Sequence, residues 1–218
     1  MRYQTLQVGS FAVNCTIVES DGLALIVDPG QEPERIMSVL RRSGLEPAGI
    51  LLTHGHFDHI NAIPGLLAEF PELPVLVSAD ELAVLVHPLN AIPPEYNPVR
   101  IPSGNLRHDR DSFLAAVSGF RRREPGFRFT VIPTPGHTPG GVSYLFDGTS
   151  SGGIPTLLSG DTLFAGSVGR TDLPGGDMAV LMRSLGTLKK LPPETTVIPG
   201  HGAATTIAAE LRENPFLQ

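Results

Sequence analysis

Glycine and proline punctuate this chain closely, 24 and 21 of 218 residues, and they fall between apolar runs of a few residues each. Neither sits well inside a helix or a central strand, so a chain cut this often folds as many short elements joined by turns. No internal repeat or low-complexity tract breaks the pattern. LQVGSFAVNCTIVES and LALIVDPG read as strands, the second closed by the turn signal Asp28-Pro29-Gly30. PERIMSVLRRSG sets Ile36, Val39 and Leu40 at helical spacing, with Gly44 at its C-cap. A buried strand is predicted over residues 49–53, then helices in INAIPGLLAEF and ADELAVLV around a short strand in PVLVS.

Residues 87–110, with five prolines and little periodicity, read as an irregular insertion able to cover a site. DSFLAAVSGFRRRE is an amphipathic helix with Phe113, Leu114, Val117 and Phe120 on one side and a solvated, dipole-favoured end at Arg121, Arg122 and Arg123. FRFTVIP, GVSYLFD and TLLSG read as strands. A helix follows with Met178, Leu181, Met182, Leu185 and Leu188 as its core face, then the strand TTVIPG and a last helix in TTIAAELREN. Short strands interleaved with helices predict layered sheets covered by helices, with residues 1–218 as a single domain.

Composition narrows the partners. A net charge of −6 without a basic run argues against nucleic acid. No apolar segment nears the ~18 to 20 residues that span a bilayer, and MRYQTLQVGSF lacks the pattern of a signal peptide, so a cytoplasmic protein without membrane partners is expected. The single cysteine, Cys15, excludes an internal disulfide and a thiolate zinc cluster, and it reads as a small buried hydrophobe on a strand.

Chemistry concentrates in four places. THGHFDHIN carries His54, His56, Asp58 and His59, TPGHTPGG carries His137, LLSGDTLF carries Asp161 and VIPGHG carries His201. Each follows an apolar run that reads as a strand, and neighbouring strands of a sheet end side by side, so distant residues can converge. Imidazole and carboxylate suit zinc, iron or manganese, and a bridging carboxylate holds two cations close together. In His-x-His-x-Asp-His on a tight loop, His54 and His56 can reach one ion while Asp58 and His59 turn toward a second. His87 and His108, without partner motifs, read as surface residues.

Taken in order, THGHFDHIN, TPGHTPGG, SGDTLFAGSVGRTDLPGGD and IPGHG resemble the metallo-β-lactamase fold superfamily, specifically its glyoxalase II-like (hydroxyacylglutathione hydrolase-like) members, over nearly the whole chain. The chain ends without the C-terminal helical region of glyoxalase II proper, so the resemblance is to the shorter, single-domain hydrolases. It implies an α+β fold, the αββα four-layer sandwich. It also implies His54, His56 and His137 on one metal, Asp58, His59 and His201 on a second, and Asp161 bridging both. The implied cofactor is two divalent metal ions, zinc foremost, with iron and manganese as alternatives.

The implied reaction is attack of a metal-bridged hydroxide on a small-molecule thioester of the S-lactoylglutathione type, with Asp58 and Asp161 as catalytic residues and Asp58 orienting the nucleophile. Arg170 matches the position of a basic residue that binds a substrate carboxylate, with Asp172 and Asp177 as competing acceptors. A rival reading is a persulfide dioxygenase with one iron held by His54, His137 and Asp161. Another is a non-catalytic binding module cross-linked by metal, which the absence of thiolates disfavours. The acidic balance speaks against a nuclease, and the lack of an export signal against a β-lactamase.

Overall fold

The first long apolar run turns back on itself. Residues 9–12 form a turn in which Gly9 and Ala12 take positive φ, 70° and 51°, and the Ala12 N–H donates to the Gly9 carbonyl at 3.2 Å. LQVGSFAVNCTIVES is therefore a hairpin of β1 (Arg2–Val8) and β2 (Val13–Ser20), antiparallel from Arg2 opposite Glu19 to Val8 opposite Val13. The computed structural model describes residues 1–91, 98–148 and 152–218. Residues 92–97, part of the proline-rich insertion expected as a cover, lie outside that set. The chain divides into two units, Met1–Phe127 and Arg128–Gln218.

In the first unit, β3 (Leu23–Val27) pairs antiparallel with β2, and β4 (Glu46–Leu51), β5 (Val75–Leu76) and β6 (Leu106–Arg107) follow in parallel, giving the order β1-β2-β3-β4-β5-β6. β4 begins and ends earlier than residues 49–53. Its register against β3 shifts beside Pro47, which is how a strand accommodates proline. Between β3 and β4 runs α1 (Pro33–Arg42), ended at Ser43 with Gly44 at φ 64°. Its Ile36, Val39 and Leu40 are buried with Cys15, Ile17 and Ile26 in one core, each worth about 1.5–3 kcal/mol in apolar burial.

The histidine-rich stretch is not all loop. Its second half is a helical turn, α2 (Phe57–Ile60), followed by α3 (Ile63–Glu69). ADELAVLV splits into a 3-10 turn, Ala79–Glu81, and α4 (Leu82–Leu85), and a second 3-10 turn spans Pro88–Ala91. α5 (Arg110–Arg121) buries Phe113 and Val117. Arg121 departs from a freely solvated helix end, because its Nε donates to the Pro47 carbonyl at 2.7 Å.

The second unit has the sheet order β13-β12-β9-β8-β7, built from β7 (Phe129–Pro133), β8 (Val142–Phe146), β9 (Thr156–Gly160), β12 (Thr196–Pro199) and β13 (Thr205–Thr206). A small hairpin joins β10 (Leu163–Phe164) to β11 (Ser167–Val168). Of its helices, α6 (Met178–Leu188) buries Leu181, Leu185 and Leu188 against Leu157, Val197 and Ile207, the last on α7 (Ile207–Glu213). Met178 and Met182, expected on the core face, are about two-fifths exposed. The helix begins at the Asp177 cap, and one flank of its apolar stripe stays in solvent. Among the described residues no helix is long and apolar enough to cross a membrane.

Candidate metal centre

Parallel neighbours end at the same sheet edge, and the first unit uses this at β3 and β4. Asp28 follows β3 directly, and Thr53 and His54 lie two and three positions after the end of β4. The Asp28 N–H donates to the Leu51 carbonyl at 3.0 Å, and its backbone sits at φ 50°. The Asp28 side chain is buried. Oδ1 accepts from the Thr53 N–H at 2.8 Å, and Oδ2 accepts from the Thr53 hydroxyl at 2.6 Å and from His59 Nδ1 at 3.1 Å.

These bonds settle which ring nitrogens carry hydrogen. A carboxylate only accepts, so His59 Nδ1 carries a hydrogen, and in the neutral ring Nε2 keeps its lone pair. The Thr53 hydroxyl gives its one hydrogen to Asp28 and accepts from His54 Nδ1 at 3.0 Å, so His54 also presents Nε2 as a base. His54 and His59 are buried, their ring centroids 4.1 Å apart. The half-buried His56 stands edge-on to His54 at 4.8 Å, and Asp58 Oδ2 lies 3.9 Å from His59 Nε2. Asp28, His54 and His59 have donor atoms within 4.8 Å of one another. Both Asp28 oxygens are committed to Thr53 and His59, which makes it the support for the histidines.

Asp28 is the residue that sequence reading missed as a site component. DPG was legible as a turn, and the available signal was a carboxylate ending a wholly apolar strand. The turn must also pass close to α2: a Cβ on Gly30 would fall 1.8 Å from the Asp58 carbonyl oxygen, so only glycine fits.

In the second unit β7 runs antiparallel to β8, β8 antiparallel to β9, and β9 parallel to β12. β7, β9 and β12 therefore finish at one edge, where His137, Asp161 and His201 follow them. Asp161 Oδ2 lies 3.6 Å from His137 Nε2 and 3.7 Å from His201 Nε2. Two atoms bound at 2.0–2.1 Å to one tetrahedral ion stand about 3.3 Å apart, so the spacing of this carboxylate oxygen from each imidazole is close to that of two ligands sharing an ion. His137 Nδ1 donates to the Arg170 carbonyl at 2.7 Å, so in the neutral ring Nε2 carries the lone pair. Gly169 mirrors Gly30, since a Cβ there would fall 1.8 Å from the Asp161 carbonyl oxygen.

The Arg170 guanidinium makes a bidentate pair with Asp172, at 2.6 and 2.7 Å. Those hydrogen bonds hold the exposed Asp172 carboxyl down at about 2. Asp177 instead caps α6, accepting from the Val180 N–H at 3.0 Å. His87 accepts from the Leu89 N–H two residues on, whereas His108 Nδ1 donates to the carbonyl of the distant Val77.

Comparison with known proteins fits this chemistry. Residues 8–201 match the family model of the metallo-beta-lactamase superfamily. The chain is 35% identical over 223 residues to a probable metallo-hydrolase, YqgX, of Bacillus subtilis, covering 100% of this chain and 98% of the relative. It is 33% identical over 223 residues to the hydroxyacylglutathione hydrolase GloC of Haemophilus influenzae, with the same coverage. Among solved structures it is similar to TTHA1623 in a di-iron-bound form, with TM-score 0.80, 36% identity and 98% and 100% of the two chains covered. It is also similar to the B3 metallo-beta-lactamase BLEG-1, with TM-score 0.84, 35% identity and 99% of each chain covered. ETHE1 from Myxococcus xanthus follows at TM-score 0.70 and 27% identity, with 99% and 84% covered. With its α+β architecture and its strand-end histidines and aspartates, this chain belongs to the metallo-beta-lactamase superfamily.

Proposed function

We propose that the protein is a metal-dependent hydrolase of hydroxyacyl-glutathione thioesters. In this reading His54, His56 and His137 hold one divalent ion, Asp58, His59 and His201 hold a second, and Asp161 is shared. The observation that carries it is the fixed tautomer of three imidazoles. Thr53, Asp28 and the Arg170 carbonyl each accept from an Nδ1, which leaves three Nε2 lone pairs suited to a cation. His59 is fixed as firmly as His54, which supports two ions over the single iron of the dioxygenase reading.

Divalent ions bound to such ligands supply water activation near neutral pH and carbonyl polarisation. The protein's own groups set direction. Asp58 Oδ2 accepts a hydrogen bond from the attacking water and aims its lone pair at the carbonyl carbon. The water oxygen bonds to that carbon as one of its O–H bonds breaks, the carbon–sulfur bond breaks, and the proton released by the water ends on the sulfur, giving a hydroxy acid and a free thiol. Arg170 offers its guanidinium to a carboxylate of the glutathione moiety, in competition with Asp172. The full-length similarity to GloC supports the substrate class.

The test pairs elemental analysis of untagged protein with hydrolysis of S-lactoylglutathione on the same sample. The expected result is about two ions per chain and turnover lost in Asp161→Ala. One iron per chain, with oxygen uptake on glutathione persulfide and no thioesterase activity, would replace this reading with the dioxygenase. Hydrolysis of a β-lactam alone would overturn the thioester assignment.

A further inference from the structure

Residues 52–56 have no helix or strand of their own, so the backbone that spaces His54 and His56 needs outside partners. Two buried side chains of the following segment supply them. Glu81, 0% exposed, accepts the Gly55 N–H at Oε2, at 2.7 Å. Asn90, 1% exposed, donates from Nδ2 to the Gly55 carbonyl at 2.8 Å and accepts the Phe57 N–H at Oδ1, at 3.0 Å. The same Nδ2 also faces the carbonyls of Val84, at 2.6 Å, and Leu85, at 3.2 Å. One amide thus joins the end of α4 to the histidine loop, and with three carbonyls on one side and an N–H on the other only one orientation of it fits.

The Phe57 bond has a second effect. α2 begins without a side-chain cap from His56, and its first N–H groups have no intrahelical acceptor. Asn90 caps from a distance the helical turn that carries Asp58 and His59. The loop also lies flush on α4, where a Cβ on Gly55 would come within 3.2 Å of Glu81 Oε2 and the Val84 Cβ and 3.1 Å of the Leu85 nitrogen.

We infer that Glu81 and Asn90 are positioning residues for the metal centre: together they fix the His54–His56 pair relative to the Asp58–His59 pair before any ion arrives. The inference rests on the ligand reading above. Neither side chain is a ligand. Their contribution is a loop already ordered in the metal-free protein, which lessens the ordering cost that binding would otherwise carry.

The test is zinc titration of the metal-free full chain against a chelator, together with the visible spectrum of the cobalt-substituted protein. In Glu81→Ala and Asn90→Ala, zinc affinity is expected to fall about 10- to 100-fold, with an altered cobalt spectrum. Glu81→Gln, whose amide oxygen still accepts from Gly55, is expected to restore most of the affinity. Hydrogen exchange of the metal-free wild type covers the case in which an alanine variant fails to fold. There the Gly55 and Phe57 amides are expected to be protected, and unprotected amides would overturn the inference. Folded alanine variants with wild-type affinity and spectrum would overturn it alone. A wild type that binds no zinc or cobalt would overturn the ligand reading with it.

Discussion

The two units hold their histidines by different means. In Met1–Phe127 the support is buried side chains: Asp28 behind His54 and His59, with Glu81 and Asn90 behind the loop. In Arg128–Gln218 it is main chain, the Arg170 carbonyl behind His137, with Asp161 beside two imidazoles. A side-chain support is lost with one substitution, whereas a carbonyl survives any change of side chain that keeps the backbone in place. Fragility under mutation should therefore be concentrated in the first unit.

The strongest challenge to that contrast is Asp28→Ala. It removes the acceptor for the Thr53 N–H, the Thr53 hydroxyl and His59 Nδ1 at once. Leaving buried donors without partners costs about 1–3 kcal/mol each, so a loss of at least about 3 kcal/mol in a urea melt is expected, with zinc affinity down about 10- to 100-fold. An unchanged melt would remove the first unit's distinctiveness. Next come Gly30→Ala and Gly169→Ala, which push a methyl group onto the Asp58 and Asp161 carbonyls. Each should cost about 1–3 kcal/mol. Here the units should behave alike, and a difference between the two melts would show which backbone yields.

Smaller effects are expected at Arg170. Arg170→Ala should leave zinc binding intact, because His137 uses the carbonyl, while raising KM for an anionic thioester. Asp172→Ala should lower KM by freeing the guanidinium. A drop in zinc affinity in Arg170→Ala would end the claim that main chain alone supports His137. The pH dependence follows from the depressed Asp172 carboxyl. Its pairing is complete above the ordinary carboxylate value near 4 and is lost as pH falls through about 2, so KM should show no step from this pair near neutrality. The smallest expected effect is at Cys15, fully buried on β2, where burial pushes the thiol pKa up. A thiol reagent should modify it only after unfolding, and rapid reaction of the native protein would mean that this core opens.

The metal-binding residue types and their strand-end placement were legible because both are local: His or Asp next to glycine or proline after an apolar run. The supports were not, because their roles exist only once distant segments meet. Glu81 sits inside an apolar helical pattern, and Asn90 lies in a proline-rich stretch without periodicity. The hairpin in residues 2–20 was hidden because its turn, GSFA, carries one glycine amid apolar neighbours. Met178 and Met182 fit the helical period and still face solvent, since periodicity marks a stripe without fixing its width.

Asp28 combines a left-handed backbone at φ 50° with a carboxylate that must accept three hydrogen bonds. Aspartate and asparagine, with glycine, are the residues that tolerate that backbone readily. Glycine brings no acceptor, and asparagine would turn an amide N–H toward one of three donors. The position thus has an alphabet of one letter, and a library randomised there should return aspartate.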